Sequence, residues 1–266
     1  MSHVTTYVLK ASPQEGCWHL DCTEIDDVIQ ASTVLADEAG MLTLSGQILA
    51  ALPGLGHTPV PLRVGRGELI SLQDGRGRGV HVLSDGRMKV LRFSDQGRVI
   101  LLDLVEPGDV FGELSLLSED LFAARKARSS YAEALEESTL YSIPCATFER
   151  LLHTHPRLAL GIARLLGERC DKLERRLEAQ VFYKVLTRLV NQLLELAERY
   201  GVEHEGGTLL SIALSQQDLG NLIGASREIV SLSLSDLKKR GLVGSKGRRL
   251  VVHEDRLREE LAKMTS

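Results

Sequence analysis

Between residues 60 and 143 the apolar side chains come in short runs, each closed by a break. The runs are His81-Val82-Leu83, Met88–Phe93, Val99–Val105 and Leu140 to Ile143. Ser84-Asp85-Gly86, Ser94-Asp95-Gln96-Gly97 and Glu106-Pro107-Gly108-Asp109 separate them, and these residues tolerate positive φ or preset a bend. The runs predict strands, and several in succession predict a β-barrel or jelly roll. Residues 1–44 show no comparable order, and an extension or a short helix is all that their pattern supports.

After Pro156 the period changes. Ile162, Leu166, Cys170, Leu173, Leu177 and Val181 recur every three or four residues, with Arg164, Glu168, Arg169, Glu174, Arg175, Arg176 and Glu178 on the other faces. A stripe this narrow suits the seam of a two-stranded coiled coil, and packing on the chain's own barrel is the alternative. A second helical pattern runs from Phe182 through Leu186, Leu189, Leu193 and Leu196 to Tyr200, with Gly201 placed as its C-cap.

Further on, Ser215-Gln216-Gln217-Asp218 starts a helix: the Ser215 hydroxyl can accept from an unsatisfied N–H, and Asp218 sits in the positive first turn. Leu219, Leu222 and Ile223 give it an apolar face and Gly224 ends it. Ser226 then caps a second helix reaching Arg240, which is helix-turn-helix spacing. Gly244-Ser245-Lys246-Gly247-Arg248-Arg249 followed by Leu250-Val251-Val252 reads as a hairpin with a basic tip, a wing. On the second helix Arg227 can donate two bonds to guanine, Glu228 can accept from cytosine, and Ser231 lies one turn on. Lys238, Lys239, Lys246 and Arg248 suit phosphates, which position a protein without reading sequence.

Charge first argues against nucleic acid and then for it. The formal net charge is −4. Residues 1–155 carry 13 Lys plus Arg against 21 Asp plus Glu, whereas residues 226–249 carry 7 basic residues against Glu228 and Asp236. The basic stretch is therefore local and coincides with the helix-turn-helix. With 266 residues, 43% of them hydrophobic, the chain can form two domains. No run approaches the roughly 20 apolar residues of a membrane span, and no signal peptide opens it, so a cytoplasmic protein with no membrane partner is expected. Cys17, Cys22, Cys145 and Cys170 are too irregular for a secreted disulfide framework.

Two stretches carry a family resemblance. Pro107-Gly108-Asp109-Val110-Phe111-Gly112-Glu113-Leu114 and the run Gln217-Asp218-Leu219-Gly220-Asn221-Leu222-Ile223-Gly224-Ala225-Ser226-Arg227-Glu228 resemble the family of the cyclic-AMP receptor protein and the fumarate-nitrate reduction regulator, CRP/FNR. The likeness covers residues 48–252. It implies an α+β fold: an extension over 1–44, a cyclic-nucleotide-type β-roll over 45–155, a dimerisation helix over 156–181 and a winged helix-turn-helix over 182–266. It also implies a homodimer that binds an imperfect palindrome in duplex DNA, with RNA polymerase as a further partner. Gln217, Ser226, Arg227, Glu228, Ser231, Leu232, Lys246 and Arg248 are the candidate DNA contacts. Leu232 stands where both named relatives have a second base-reading Arg, and Gln216 replaces a basic phosphate contact.

For an effector, the resemblance gives Glu113 to a ribose and Arg128 with Ser129 to a phosphate, with Gly112 in the same pocket. A polar Glu113–Arg128 pair inside the barrel is the structural alternative. About five extra residues lie between Glu113 and Arg128, and Leu173 and Glu174 occupy the positions of a hydroxyl pair that reads adenine, so cyclic AMP is disfavoured. An iron–sulfur cluster is disfavoured too: only Cys17 and Cys22 lie near the start, and Tyr141 holds the barrel ligand position, with Cys145 four residues later. No cofactor is certain and no metal site is expected, although Cys17, His19 and Cys22 could contribute to one. Nothing resembles an enzyme's nucleophile and base. A small-molecule-binding module acting through protein contacts remains the alternative class.

Overall fold

Pairs of strands that alternate between two apolar surfaces build the first part of the chain. The computed structural model describes residues 8–11, 18–21, 43–72, 79–94, 96–113 and 130–265. One compact unit takes residues 1–98 and 103–165, and a second takes 99–102 and 166–266. One boundary falls inside the strand Val99–Val105 and another inside the helix Pro156–Phe182.

In the first unit, β1 (Val8–Ala11) and β2 (Trp18–Asp21) form a hairpin in the stretch for which the sequence pattern gives no fold. Helix α1 (Leu44–Ala51) follows, capped by the Thr43 hydroxyl, which accepts from the Gly46 N–H at 3.2 Å. The barrel strands are β3 (Pro61–Val64), β4 (Leu69–Ser71), β5 (Val80–Asp85), β6 (Met88–Phe93), β7 (Val99–Val105), β8 (Val110–Phe111), β9 (Ser130–Ala134) and β10 (Ser138–Ile143). They form two antiparallel sheets in the orders β3-β10-β5-β8 and β4-β9-β6-β7. Leu83, Phe111 and Leu140 from the first meet Met88, Ala132 and Ala134 from the second in one core. The other face of the first sheet, through Val80, Val82, Val110 and Ile143, packs on α1, on α2 (Cys145–Thr154) and on the start of α3 (Pro156–Phe182).

Two expectations change here. Strand β5 runs through Ser84 and Asp85, so the turn begins only at Gly86, whose φ of 82° it requires. And Ile162, expected in a dimer seam, is 5% exposed in the barrel core beside Leu158, Phe148 and Leu151. The first turns of α3 thus spend the apolar stripe on their own barrel. From Leu166 onward the stripe is open, with Leu173, Leu177 and Val181 at 49%, 62% and 66% exposure.

In the second unit, α4 (Val185–Tyr200) buries Leu189, Leu193, Leu196 and Ala197. Gly201 does not adopt the left-handed conformation of a C-cap: its φ is −75° and it opens β11 (Gly201–His204) directly. A glycine is needed there for closeness, since a Cβ would stand 2.1 Å from the Ala197 carbonyl oxygen. Strands β11, β12 (Gly207–Leu210), β13 (Val243–Lys246) and β14 (Arg249–Val252) form a sheet in the order β11-β12-β14-β13. Helices α5 (Gln216–Ile223), α6 (Arg227–Lys239) and α7 (Glu254–Thr265) complete the unit. None of the described helices is long and apolar enough to cross a membrane.

Candidate nucleic-acid interface and barrel site

Helix α5 begins at a full capping box. Ser215 Oγ accepts from the Asp218 N–H at 3.1 Å, and Asp218 Oδ2 accepts from the Ser215 N–H at 3.0 Å and from its hydroxyl at 2.6 Å. Two orphan donors of the first turn are satisfied reciprocally. The helix ends at Gly224 with φ 67°, and the turn is so tight that a Cβ on Gly220 would stand 2.6 Å from the Ala225 carbonyl oxygen. Ser226 then caps α6, accepting from the Ile229 N–H at 3.4 Å.

The end of α5 is fixed by a residue the sequence pattern does not single out. Arg188 on α4 donates through Nε to the Ile223 carbonyl at 3.0 Å, through Nη2 to Gly224 at 3.5 Å and through Nη1 to Tyr183 at 3.0 Å. A guanidinium fork thus takes carbonyls that the helix terminus leaves unsatisfied. At the other end of α6, Arg240 pairs with Asp236 at 3.3 Å and with Glu260 on α7, and these carboxylates hold the guanidinium pKa above its ordinary value.

Val230, Leu234 and Leu237 bury one side of α6. With roughly 100° of turn per residue, Arg227, Ser231, Ser235, Glu228 and Leu232 share an arc of about 140° on another side. Arg227 and Glu228 are exposed, Ser231 is half-buried, and Leu232 is 72% exposed. Ser235, also exposed, joins this arc; its spacing of four from Ser231 was the available signal. The Glu228 carboxyl is held below the usual carboxylate range by the backbone N–H of its own residue first, then by the Ser226 hydroxyl and by neighbouring Arg227. It therefore remains an ionised acceptor. Gln217 is exposed and donates to Asn221 Oδ1 at 2.9 Å. Lys246 and Arg248 are exposed at the tip of the β13–β14 hairpin, where Lys246 pairs in register with Arg249.

In the barrel, Gly112 has φ 81°, and a Cβ there would stand 2.5 Å from the Gly79 carbonyl oxygen and 2.9 Å from His81 Cδ2. Glu113 follows, 9% exposed. Arg128 and Ser129 lie outside the described residues, as do Cys17 and Cys22. Tyr141 is buried in the outer core, and that burial raises its pKa; Cys145 is half-buried at the start of α2 and Cys170 is exposed on α3. Among the described residues no three His, Cys, Asp or Glu side chains gather as metal ligands.

The family model of the cyclic nucleotide-binding domain matches residues 61–155, and that of the Crp-like helix-turn-helix domain matches residues 187–263. The chain is 27% identical over 205 residues to a CRP-like cAMP-activated global transcriptional regulator of Mycobacterium tuberculosis, covering 77% of this chain and 89% of the relative. It is 28% identical over 215 residues to the global nitrogen regulator of Synechococcus elongatus, covering 80% and 95%. Among solved structures, a CRP-family transcriptional regulator of Thermus thermophilus superposes with a TM-score of 0.61 at 25% identity, over 76% of this chain and 96% of the other. FixK2 of Bradyrhizobium japonicum shares the fold at a TM-score of 0.62 and 22% identity, over 76% and 97%.

Proposed function

The chain belongs to the CRP/FNR family of DNA-binding transcription regulators, and on that premise we propose that it acts as a homodimer laying one α6 helix into each of two successive major grooves of a pseudo-palindromic operator. The observation that carries this reading is the arc of exposed Arg227, Glu228 and Leu232 with half-buried Ser231, on a helix whose start is capped and which buries another side. Arg227 reads guanine, Glu228 reads cytosine, and Leu232 packs on a thymine methyl. Gln217, Ser226, Lys246 and Arg248 hold phosphates. Two-fold symmetry sets the half-sites about one helical turn, roughly 34 Å, apart. The open part of the α3 stripe, Leu166, Cys170, Leu173, Leu177 and Val181, is the dimer seam. The protein works in the cytoplasm with the DNA it regulates, and changes transcription by recruiting or blocking RNA polymerase.

The barrel is a sensor for an effector other than cyclic AMP, because Leu173 and Glu174 lack the hydroxyls that would read adenine. Occupancy biases the two winged helices through α3, a shift that requires different affinities for two states. Selection of bound sequences from random duplexes, with and without cyclic AMP at two salt concentrations, tests the reading. An enriched palindrome without cyclic AMP supports it, one only with cyclic AMP overturns the effector clause, and no enrichment under either condition overturns the DNA-binding role.

Two further results are expected on the selected duplex. Replacing the contacted thymine by deoxyuridine removes one methyl and should weaken wild-type binding by roughly 1 kcal/mol, near the value of a buried methylene. Leu232→Ala should be insensitive to that replacement; an unchanged uridine penalty in the variant would show that Leu232 does not make the contact. Lys246→Ala should weaken binding about equally on all sequences and lower the slope of log K against log salt by about 1. A slope equal to wild type would take Lys246 off the phosphates.

A further inference from the structure

Resting on the DNA reading of α6, we propose that Ile229 joins Leu232 in an apolar ridge that reads the methyl groups of two successive thymines on one strand. Each half-site then carries a TT step. Among the described residues beyond Val185, the large apolar side chains left exposed are Val202, Ile229 and Leu232. Val202 stands alone on β11, whereas Ile229 and Leu232, at 44% and 72% exposure, lie three residues apart on α6. Residues at that spacing are neighbours on a helix surface, with Cβ atoms about 5–6 Å apart. One exposed apolar residue is ordinary on a protein surface. An adjoining pair among exposed Arg227, Glu228, Ser235 and Asp236 is a local departure.

The position of the pair points to its cover. At roughly 100° per residue, Ile229 falls about 60° beyond Leu232, at the far edge of the arc that begins at Arg227. The buried side of Val230, Leu234 and Leu237 lies further round. The ridge therefore continues the arc proposed to read bases. Along the axis it occupies the first half of α6, where a recognition helix meets base edges. It stops at Asp236, whose carboxylate pairs with Arg240. The Ile229 side chain is also held in place. Ser226 Oγ accepts from the Ile229 N–H, so the cap that starts the helix fixes the backbone from which this side chain springs. A β-branched residue in a helix keeps essentially one χ1 rotamer, so little freedom is lost on contact.

The thymine C5-methyl is the apolar group that base edges display in the major groove, beside hydrogen-bond donors and acceptors. A cytosine amino group or guanine O6 set against Ile229 or Leu232 would lose water without gaining a partner. The two residues are about 4.5 Å apart along the helix axis. Neighbouring bases are about 3.4 Å apart along a strand. The pair thus addresses successive thymines.

Titration of the full-length protein on the duplex enriched from a random pool tests the ridge. The enriched half-sites should contain adjoining thymines. Deoxyuridine at either one should weaken wild-type binding about fourfold, the equivalent of one buried methylene, and at both should weaken it further. Ile229→Ala should abolish the penalty at one thymine and keep it at the other, Leu232→Ala should do the converse, and Val202→Ala should change neither. On a scrambled duplex Ile229→Ala should match wild type, because the ridge carries no charge. Half-sites without adjoining thymines overturn the proposal, as do two penalties that survive Ile229→Ala, or an equal loss on both duplexes. Altered sedimentation of Ile229→Ala without DNA would make the ridge a contact between copies and also overturn it. If Ile229→Ala does not fold, the wild-type uridine series and Ile229→Val, whose penalty at one thymine should shrink, decide. Failure to enrich any duplex removes the DNA reading itself, whereas an enriched duplex with a penalty at the Leu232 thymine alone removes only the ridge.

Discussion

A variant carrying Leu177→Asp and Val181→Asp should be a monomer that keeps its fold and loses tight operator binding. The two side chains are 62% and 66% exposed in the single chain, so no core is disturbed and the thermal transition of the isolated fold should survive. In a paired seam each would be buried, and a fully buried side chain of this kind contributes about 1.5–3 kcal/mol. The variant removes that gain on both helices and sets like charges across the axis. Once the two helix-turn-helix modules are no longer joined, the second half-site must be found from bulk solution, and affinity should fall by roughly 10²–10⁴-fold. Sedimentation equilibrium with operator titration reads both outcomes. Glu178→Gln, off the stripe, serves as control. A variant that still sediments as a dimer would place the interface elsewhere.

Arg227→Ala should cost about 1–3 kcal/mol on the selected duplex, that is roughly 5- to 150-fold, and relax the preference at one base position. Arg227 is exposed at the first position of α6, and the helix start depends on the Ser226 hydroxyl rather than on Arg227. The change should therefore leave thermal stability alone. Binding to a scrambled duplex should fall only by the contribution of one charge. Parallel titrations of the selected and scrambled duplexes separate base reading from phosphate attraction. An equal loss on both would move Arg227 from the bases to the backbone.

Features with a local physical signature could be read from the chain. The capping box at Ser215 and Asp218, the positive-φ Gly224 and the Ser226 cap are all dictated by neighbours in sequence, and the structure has each of them. Strands β6 and β7 announce themselves through apolar runs between turns. Strand β9 does not, because its core-facing residues are Ala132 and Ala134, small side chains opposite Val90 and Met88. The β11–β12 hairpin is short and largely polar, and α7 buries Leu257 within a run of charges, so neither has a clear period. Ile162 shows the limit of periodicity: a stripe tells which side of a helix is apolar and not which neighbour covers it. The role of Arg188 is a matter of tertiary placement, set by a carbonyl 35 positions away.

The ion pair between Arg240 and Glu260 gives the last helix a genetic meaning. A nonsense codon just after Val252 would leave every predicted DNA contact in the translated product. Yet it would delete Glu260, which pairs with Arg240 at the end of α6, and the fully buried Leu257 of a helix that packs on α4. Such an allele should resemble a loss of DNA binding although its lesion lies beyond the wing. Where subunits mix, its product would still carry the open α3 stripe and could draw intact chains into defective pairs, so the truncated allele should be dominant over the intact one.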